Sequence, residues 1–185
     1  MRLRLGIGLV LLLLATPASA AARPWLYTVG DSLAVGTDPY LRGALPGWGL
    51  HSSTAISRHA PDGPPILAGR ARLARHVAVS LGTNDDPRVV DAFRGSIRRV
   101  MHVAGARRCV VWANIVRPPV AGASYAAMND VLRRQANKRE NLVMVDWVKL
   151  VGNHPGWLAG DGVHVSAGGY RGRARAFGRA IRRCP

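Results

Sequence analysis

The chain has 185 residues and a formal net charge of +16, with 26 lysines and arginines against 10 aspartates and glutamates. A basic surface attracts nucleic acid, anionic polymers or membrane surfaces, but no basic stripe interleaved with aromatic residues indicates a nucleic-acid groove. We therefore expect no nucleic-acid partner, and we place the arginines mainly on solvated helix faces.

The N-terminal segment has the pattern of a secretory signal peptide. Arg2 and Arg4 precede a short apolar stretch, and small residues follow at the −3 and −1 positions of a cleavage site after Ala20. Cleavage after Ala22 and an uncleaved N-terminal anchor are the alternatives. The pattern predicts a signal peptide over residues 1–20, a secreted or extracytoplasmic protein, and no stable membrane span after cleavage. The remaining length suits one domain.

Five apolar runs predict β-strands, and segments with helical spacing separate them. The runs cover residues 25–29, 50–56, 76–81, 109–115 and 142–145. Strands that are apolar throughout and alternate with helices are typical of a parallel sheet covered on both faces. We therefore predict the α/β class, as a three-layer α/β/α sandwich around a central, mostly parallel, five-stranded sheet.

Start signals mark several of the predicted helices. Asp38 with Pro39 predicts the start of a helix through residue 45, and Asp86 with Pro87 predicts the start of the helix that ends near residue 104. A further helix is predicted over residues 124–137. Ser166 is the expected cap of the last helix, whose apolar face carries Tyr170, Ala174, Phe177 and Ile181.

Four polar fragments follow predicted strands or precede the last helix, at the edge where the carboxyl ends of parallel strands meet. The fragments are "GDSL" (30–33), "TAISRHAPDG" (54–63), "SLGTNDD" (80–86) and "LAGDGVHVSAGGY" (158–170). Ligands of open parallel sheets bind at this edge. The fragments are therefore expected to form one site.

The residue types in these fragments are those that acyl transfer requires. A serine hydroxyl such as that of Ser32 needs a base, for which His164 is suited, and Asp161 lies three residues away to orient the imidazole. Asn84 and main-chain N–H groups near Ser32 and Ser57 can stabilise an oxyanion. The alternative for Ser32 is a helix cap, the commoner role of a serine after a strand.

The motifs "GDSL", "GTND" and "DGVH" resemble, in order and spacing, the conserved blocks of the SGNH hydrolases, also called the GDSL lipase/esterase family. The resemblance implies a flavodoxin-like SGNH fold over residues 24–185. It implies Ser32 as nucleophile, His164 as base, Asp161 as orienting acid and Asn84 as oxyanion donor beside the Ser32 N–H. The family usually has a glycine after the second strand; here Ser57 occupies the nearest position and is the third expected donor.

We therefore predict an exported serine esterase that hydrolyses carboxylic, short-acyl esters through an acyl-enzyme, with no cofactor and no metal. Its partner is an ester substrate, and an acylated polysaccharide is one candidate. The alternatives are an O-acyltransferase or O-acetylesterase acting on an envelope polysaccharide, and a non-catalytic module that binds anionic envelope polymers. The oligomeric state stays open.

Other residues are expected to stabilise the fold or, in the case of Arg58, to contact the substrate. Cys109 begins the fourth strand, at the sheet edge opposite the predicted site, and Cys184 ends a helix that runs antiparallel to the strands. We therefore predict a Cys109–Cys184 disulfide. Asp31 and Asp85 flank predicted site residues and are expected to hold their loops, while Arg58 is a candidate contact for a polar or anionic substrate.

Overall fold

The computed structural model describes residues 23–70 and 74–184, so the predicted signal peptide at residues 1–20 lies outside the described residues. The strands are β1 (Trp25–Gly30), β2 (Gly49–Thr54), β3 (His76–Ser80), β4 (Cys109–Ala113) and β5 (Leu142–Val145). The helices are α1 (Ser32–Ala44), α2 (Gly63–Ala68), α3 (Val90–Ala104), α4 (Ala126–Ala136), α5 (Trp147–Gly152) and α6 (Ala167–Arg182), with short 3₁₀ turns at Ala60–Asp62 and Pro155–Trp157.

The five strands form one sheet in the order β2-β1-β3-β4-β5, and every neighbouring pair is parallel. This confirms the predicted α/β sandwich, and the strand ends differ from the predicted ones by only one or two residues. The chain moves from β1 to β2 on one side and then to β3 on the other. The resulting switch point between β1 and β3 is where parallel sheets bind ligands.

Apolar side chains alternate between the two faces of the sheet, so each face has its own core. On one face, Val77 and Trp112 pack with Phe93 of α3 and with residues of α2 and α4. On the other face, Ala78 and Val111 pack with α1, α5 and α6. Because both faces are covered, β3, β4 and β5 are apolar at nearly every position, whereas the edge strand β2 carries polar and partly exposed residues.

The predicted start of the first helix is wrong. Helix α1 begins at Ser32, where the Asp31 carboxylate accepts a hydrogen bond from the Leu33 N–H at 3.0 Å. Pro39 lies inside the helix, where its missing N–H removes one intrahelical hydrogen bond. The Asp38 carboxylate accepts a hydrogen bond from the Thr54 hydroxyl at 3.3 Å instead of capping a helix.

The predicted start of the third helix is also wrong, because α3 begins at Val90. The Asp86 carboxylate accepts hydrogen bonds from the N–H and the side chain of Arg88. The Val89 N–H donates to the Asp86 carbonyl at 3.1 Å and closes a turn there. The Asp-Pro pair therefore marks a separate turn before the helix. The Ser166 cap is confirmed, since its hydroxyl accepts from the Gly169 N–H at 3.3 Å.

The predicted disulfide is confirmed. Cys109 and Cys184 are bonded, with their Cα atoms 5.9 Å apart. Cys109 is the first residue of β4 and Cys184 follows the end of α6, so the bond lies at the edge of the sheet opposite the carboxyl ends of the strands. It ties the end of the described chain to β4, a strand inside the sheet between β3 and β5.

Helices α1 and α6 pack closely because Gly36 leaves room for the ring of Tyr170. A Cβ atom added at Gly36 would overlap that ring, whereas a Cβ atom at Gly43 of the same helix would meet nothing within 4 Å. We expect Gly36→Ala to lower the free energy of unfolding by about 1–3 kcal/mol. The matched Gly43→Ala should raise it by about 0.5–1 kcal/mol. Urea unfolding of both variants checks this, and equal effects would contradict the packing argument.

Candidate active site

Three predicted site residues form one chain of hydrogen bonds. The Ser32 Oγ lies 2.9 Å from the His164 Nε2, and the His164 Nδ1 lies 2.6 Å from a carboxylate oxygen of Asp161. Ser32 follows β1, whereas the other two residues lie in the loop that precedes α6. The fold thus joins residues 132 positions apart in the chain.

The loop that carries Asp161 and His164 is held by its own hydrogen bonds. Besides contacting the imidazole, the Asp161 carboxylate accepts hydrogen bonds from the main-chain N–H groups of Val163 and His164, each at 2.9 Å. Gly162 has a φ of 66°, a conformation that favours glycine and allows this tight turn. The hydrogen bond from the His164 side chain, together with the two from the main chain, lowers the pKa of Asp161 to about 2.

Ser32 is the first residue of α1, and the preceding Asp31 provides the helix cap. The cap role expected as the alternative for Ser32 thus belongs to Asp31, and the Ser32 hydroxyl contacts the imidazole of His164 instead. The backbone N–H groups in the first turn of a helix have no intrahelical partner, so the N–H of Ser32 belongs to a set of donors available to an anion.

Asn84 follows β3, and hydrogen bonds to both the nitrogen and the oxygen of its side-chain amide hold it in place. Its Nδ2 donates to the Arg58 carbonyl at 3.1 Å, and its Oδ1 accepts from the Arg117 Nη1 at 3.4 Å. Because a carbonyl lies on one side and a guanidinium on the other, the orientation of the amide is defined. A side-chain amide has two N–H bonds, so one remains after the contact with Arg58.

A cleft of about 360 Å³ contains these groups. The first residue of α1 and residues from three loops line it: Ser32, Asn84, Arg117, Pro118, Pro119, Val120, Asp161, Val163 and His164. Arg117 is a residue that our sequence analysis missed. Its position four residues after the end of β4 could have indicated it, because every strand of a parallel sheet ends at this edge.

Comparison with known proteins identifies the architecture. No protein-family model matches the chain. It is 26% identical over 147 residues to O-acetyltransferase OatA of Staphylococcus aureus, an alignment covering 76% of this chain and 22% of that relative. The chain thus spans about a fifth of the length of the curated relatives it matches.

Solved structures share the fold across most of both chains. One is the C-terminal catalytic domain of peptidoglycan O-acetyltransferase A from Streptococcus pneumoniae, with a TM-score of 0.68 and 18% identity over 87% of this chain and 92% of that one. Another is a member of the lipolytic protein G-D-S-L family from Veillonella parvula, with a TM-score of 0.67 and 16% identity over 86% and 98%. The chain has the SGNH hydrolase fold.

Ser57 departs from the glycine expected after the second strand of the SGNH fold. The residue has a φ of 60°, in the left-handed region that favours glycine. Its side chain is exposed, and Ser57 is not among the residues that line the cleft. The neighbouring Arg58 donates from its Nη1 to the main-chain carbonyls of Ser53 and Gly30, so this guanidinium holds the loop to the sheet.

A buried network of hydrogen bonds joins Asp31, the residue before Ser32, to Ser80 and Arg173. The Asp31 carboxylate accepts from the Ser80 hydroxyl at 3.2 Å, and that hydroxyl accepts from the Arg173 Nη2 at 3.0 Å. The Arg173 guanidinium also lies over the ring of Trp147, 4.8 Å from its centroid. Both side chains are buried, so Arg173 is an exception to the prediction that the arginines lie mainly on solvated helix faces.

Burial explains the pKa shifts of Asp31 and Arg173. Desolvation raises the pKa of Asp31, and the positive charge of Arg173 opposes that rise. Desolvation lowers the pKa of Arg173 to about 10, and Asp31 opposes that fall. The guanidinium therefore stays protonated at neutral pH. Through Ser80, these hydrogen bonds connect Arg173 of α6 to Asp31, the residue that caps α1.

Asp85 and His154 also hold loops. The Asp85 carboxylate accepts from the Ala60 N–H at 3.0 Å, and the His154 Nδ1 lies 2.9 Å from the Leu150 carbonyl.

Over residues 23–70 and 74–184, no group of three or more histidines, cysteines, aspartates or glutamates could hold a metal ion. None of the helices formed by these residues is long and apolar enough to cross a membrane.

The low pKa of Asp161 makes a prediction about stability at acid pH. Because the pKa is lower in the folded chain than its ordinary value of 3.8, ionised Asp161 stabilises the fold above that value. This contribution is lost as the pH falls through about 2. We expect Asp161→Asn to unfold at lower urea concentration than the wild type at pH 6, with the difference shrinking towards pH 3. A difference independent of pH would contradict the assignment.

Proposed function

We propose that the protein is an exported serine ester hydrolase of the SGNH family, which cleaves short-acyl carboxylic esters through an acyl-enzyme. The observation that carries the proposal is the continuous hydrogen-bonded chain from Ser32 through His164 to Asp161, at the mouth of one cleft. The signal-peptide pattern of residues 1–20 supports export.

In the first half of the reaction, His164 Nε2 takes the proton from the Ser32 hydroxyl as its Oγ attacks the ester carbonyl carbon. Asp161 holds the imidazole with Nδ1 protonated and stabilises the imidazolium that forms. The oxyanion accepts hydrogen bonds from the Ser32 N–H and from the remaining N–H of Asn84. The carbon–oxygen bond to the alcohol then breaks, and His164 donates its proton to the alcohol that leaves.

In the second half, a water molecule attacks the carbonyl of the acyl-enzyme while His164 takes its proton. The second tetrahedral intermediate collapses, the proton passes from His164 to the Ser32 Oγ, and a carboxylic acid is released. Ser57 is the expected third oxyanion donor. Its φ of 60° lies in the left-handed region that favours glycine, the residue that the family usually has here, and this supports a role for its N–H.

A short acyl group is proposed because the cleft that holds Ser32 has a volume of only about 360 Å³, near the lower end of the range for ligand pockets. We expect kcat/KM to fall steeply from p-nitrophenyl acetate and butyrate to octanoate and palmitate. Steady-state assays with the protein lacking residues 1–20 would test this. A rate that rises with chain length would contradict the short-acyl proposal.

Transfer of an acetyl group to a polysaccharide is the second candidate. It is supported by the similarity to proteins named O-acetyltransferase and to the catalytic domain of a peptidoglycan O-acetyltransferase. A sugar hydroxyl can replace water as the acceptor for the same acyl-enzyme. Mass spectrometry of reactions with p-nitrophenyl acetate and chitooligosaccharides distinguishes the two: acetylated sugar indicates transfer, and acetate alone indicates hydrolysis.

A further inference from the structure

Arg117 is a charged residue in the cleft that the proposed chemistry does not use. It lies in the loop after β4 and lines the same cleft as Ser32, Asn84 and His164. Its side chain is half-buried. Pro118 and Pro119 follow it directly and also line the cleft, so the backbone beside Arg117 has little conformational freedom.

One nitrogen of Arg117 anchors the guanidinium. Its Nη1 donates to the Thr83 carbonyl at 2.6 Å and approaches the Asn84 Oδ1 at 3.4 Å. Within residues 23–70 and 74–184, no hydrogen bond is made by its Nε or Nη2, and no carboxylate forms a salt bridge with it. The positive charge is therefore not neutralised by an acidic side chain of the described chain.

The edge of the guanidinium formed by Nε and Nη2 has a specific binding geometry. Its two N–H bonds are nearly parallel, and the two oxygens of one carboxylate can accept both. Anchoring through Nη1 fixes the plane of the group, so little side-chain entropy is lost when a ligand binds. A half-buried site also screens the charge less than open solvent does.

We propose that Arg117 is a specificity-determining residue that binds a carboxylate on the alcohol part of the ester. The inference rests on the proposed function, with a short acyl group such as acetyl or butyryl, and these groups carry no charge. An anionic group within reach of Arg117 must then belong to the alcohol. The substrate class is thus an O-acyl ester of an acidic alcohol, such as an acidic sugar.

The test compares 4-acetoxybenzoate with its neutral methyl ester, methyl 4-acetoxybenzoate. We expect Arg117→Met to raise KM for the anionic ester about tenfold or more and to change KM for the neutral ester by less than about threefold. Loss of the Asn84 contact can lower kcat for both esters, so the ratio of the two KM values is the diagnostic quantity. Arg179→Met, an exposed arginine of α6 outside the cleft, is the charge-matched control and should leave that ratio unchanged.

A binding measurement separates this inference from the proposed reaction. Calorimetric titration of the Ser32→Ala variant with 4-acetoxybenzoate requires no turnover. Binding that is lost on adding Arg117→Met, and is weaker for the methyl ester, supports the carboxylate site even if neither ester is hydrolysed. Absence of binding, equal binding of both esters, or binding unaffected by Arg117→Met would overturn it. Hydrolysis with no dependence on Arg117 would leave the proposed function standing and refute the inference alone.

Discussion

Replacing Ser32 with alanine should lower kcat/KM for p-nitrophenyl acetate by about 10³-fold or more, because the nucleophile and its proton transfer are both removed. The fold should be nearly unaffected. The hydroxyl contributes one hydrogen bond to a partly exposed histidine, worth about 1 kcal/mol or less. Steady-state kinetics and urea unfolding of the same preparations measure the two effects.

Ser124→Ala is the matched control, since Ser124 is exposed and is not among the residues that line the cleft. It should retain the wild-type rate. Equal background rates in wild type and Ser32→Ala would contradict an esterase active on this substrate. The envelope-binding module would then be tested by retention on an anionic polymer, which that alternative predicts to be salt-sensitive and unchanged in Ser32→Ala.

Removing the disulfide should have the largest effect on stability. Cys109 and Cys184 enclose a loop with a sequence separation of 75 residues. In the chain-entropy model, a loop of this length corresponds to about 4 kcal/mol of stabilisation, because the bond restricts the unfolded chain. We expect the Cys109→Ala/Cys184→Ala double variant to lose about that much free energy of unfolding.

Reductant provides the control for this prediction. Dithiothreitol should lower the urea midpoint of the wild type to that of the double variant and should leave the double variant unchanged. Esterase kcat should persist in both at temperatures where they remain folded, because the bond lies at the edge of the sheet opposite the cleft. Two free thiols in the denatured, unreduced wild type would refute the bond.

The sheet and its functional edge could be predicted from the sequence because their signals are local. Strands β3, β4 and β5 are nearly continuous apolar runs, and their alternation with helices implies parallel pairing and hence a common edge for the polar fragments. The approach of Ser32 to His164 follows from that edge alone. Helix start signals, in contrast, do not identify a single residue: Asp38 with Pro39 has the pattern of a helix start, yet it lies inside α1 and accepts a hydrogen bond from Thr54 of β2, while Asp31 caps the helix.

The two arginines were missed for a different reason. Arg173 lies three residues after Tyr170 and four before Phe177, so helical spacing places it on the apolar face of α6, unlike its exposed neighbours Arg171 and Arg175. The sequence does not indicate the groups that it contacts there, Ser80 and the ring of Trp147, because they are far away in sequence. Arg117 likewise has no motif. Its place in the cleft follows from the path of the loop after β4, which sequence periodicity does not encode.

The separation of 132 residues between Ser32 and His164 has a consequence for how the protein matures. One partner belongs to the first helix, and the other immediately precedes the last. The pair can form only after the two ends of the domain have docked, which makes this a contact of large sequence separation, the kind that slows folding. A nascent chain that ends before the loop carrying His164 would have its serine but not the proposed base, so esterase activity would report completed folding more strictly than secondary structure does.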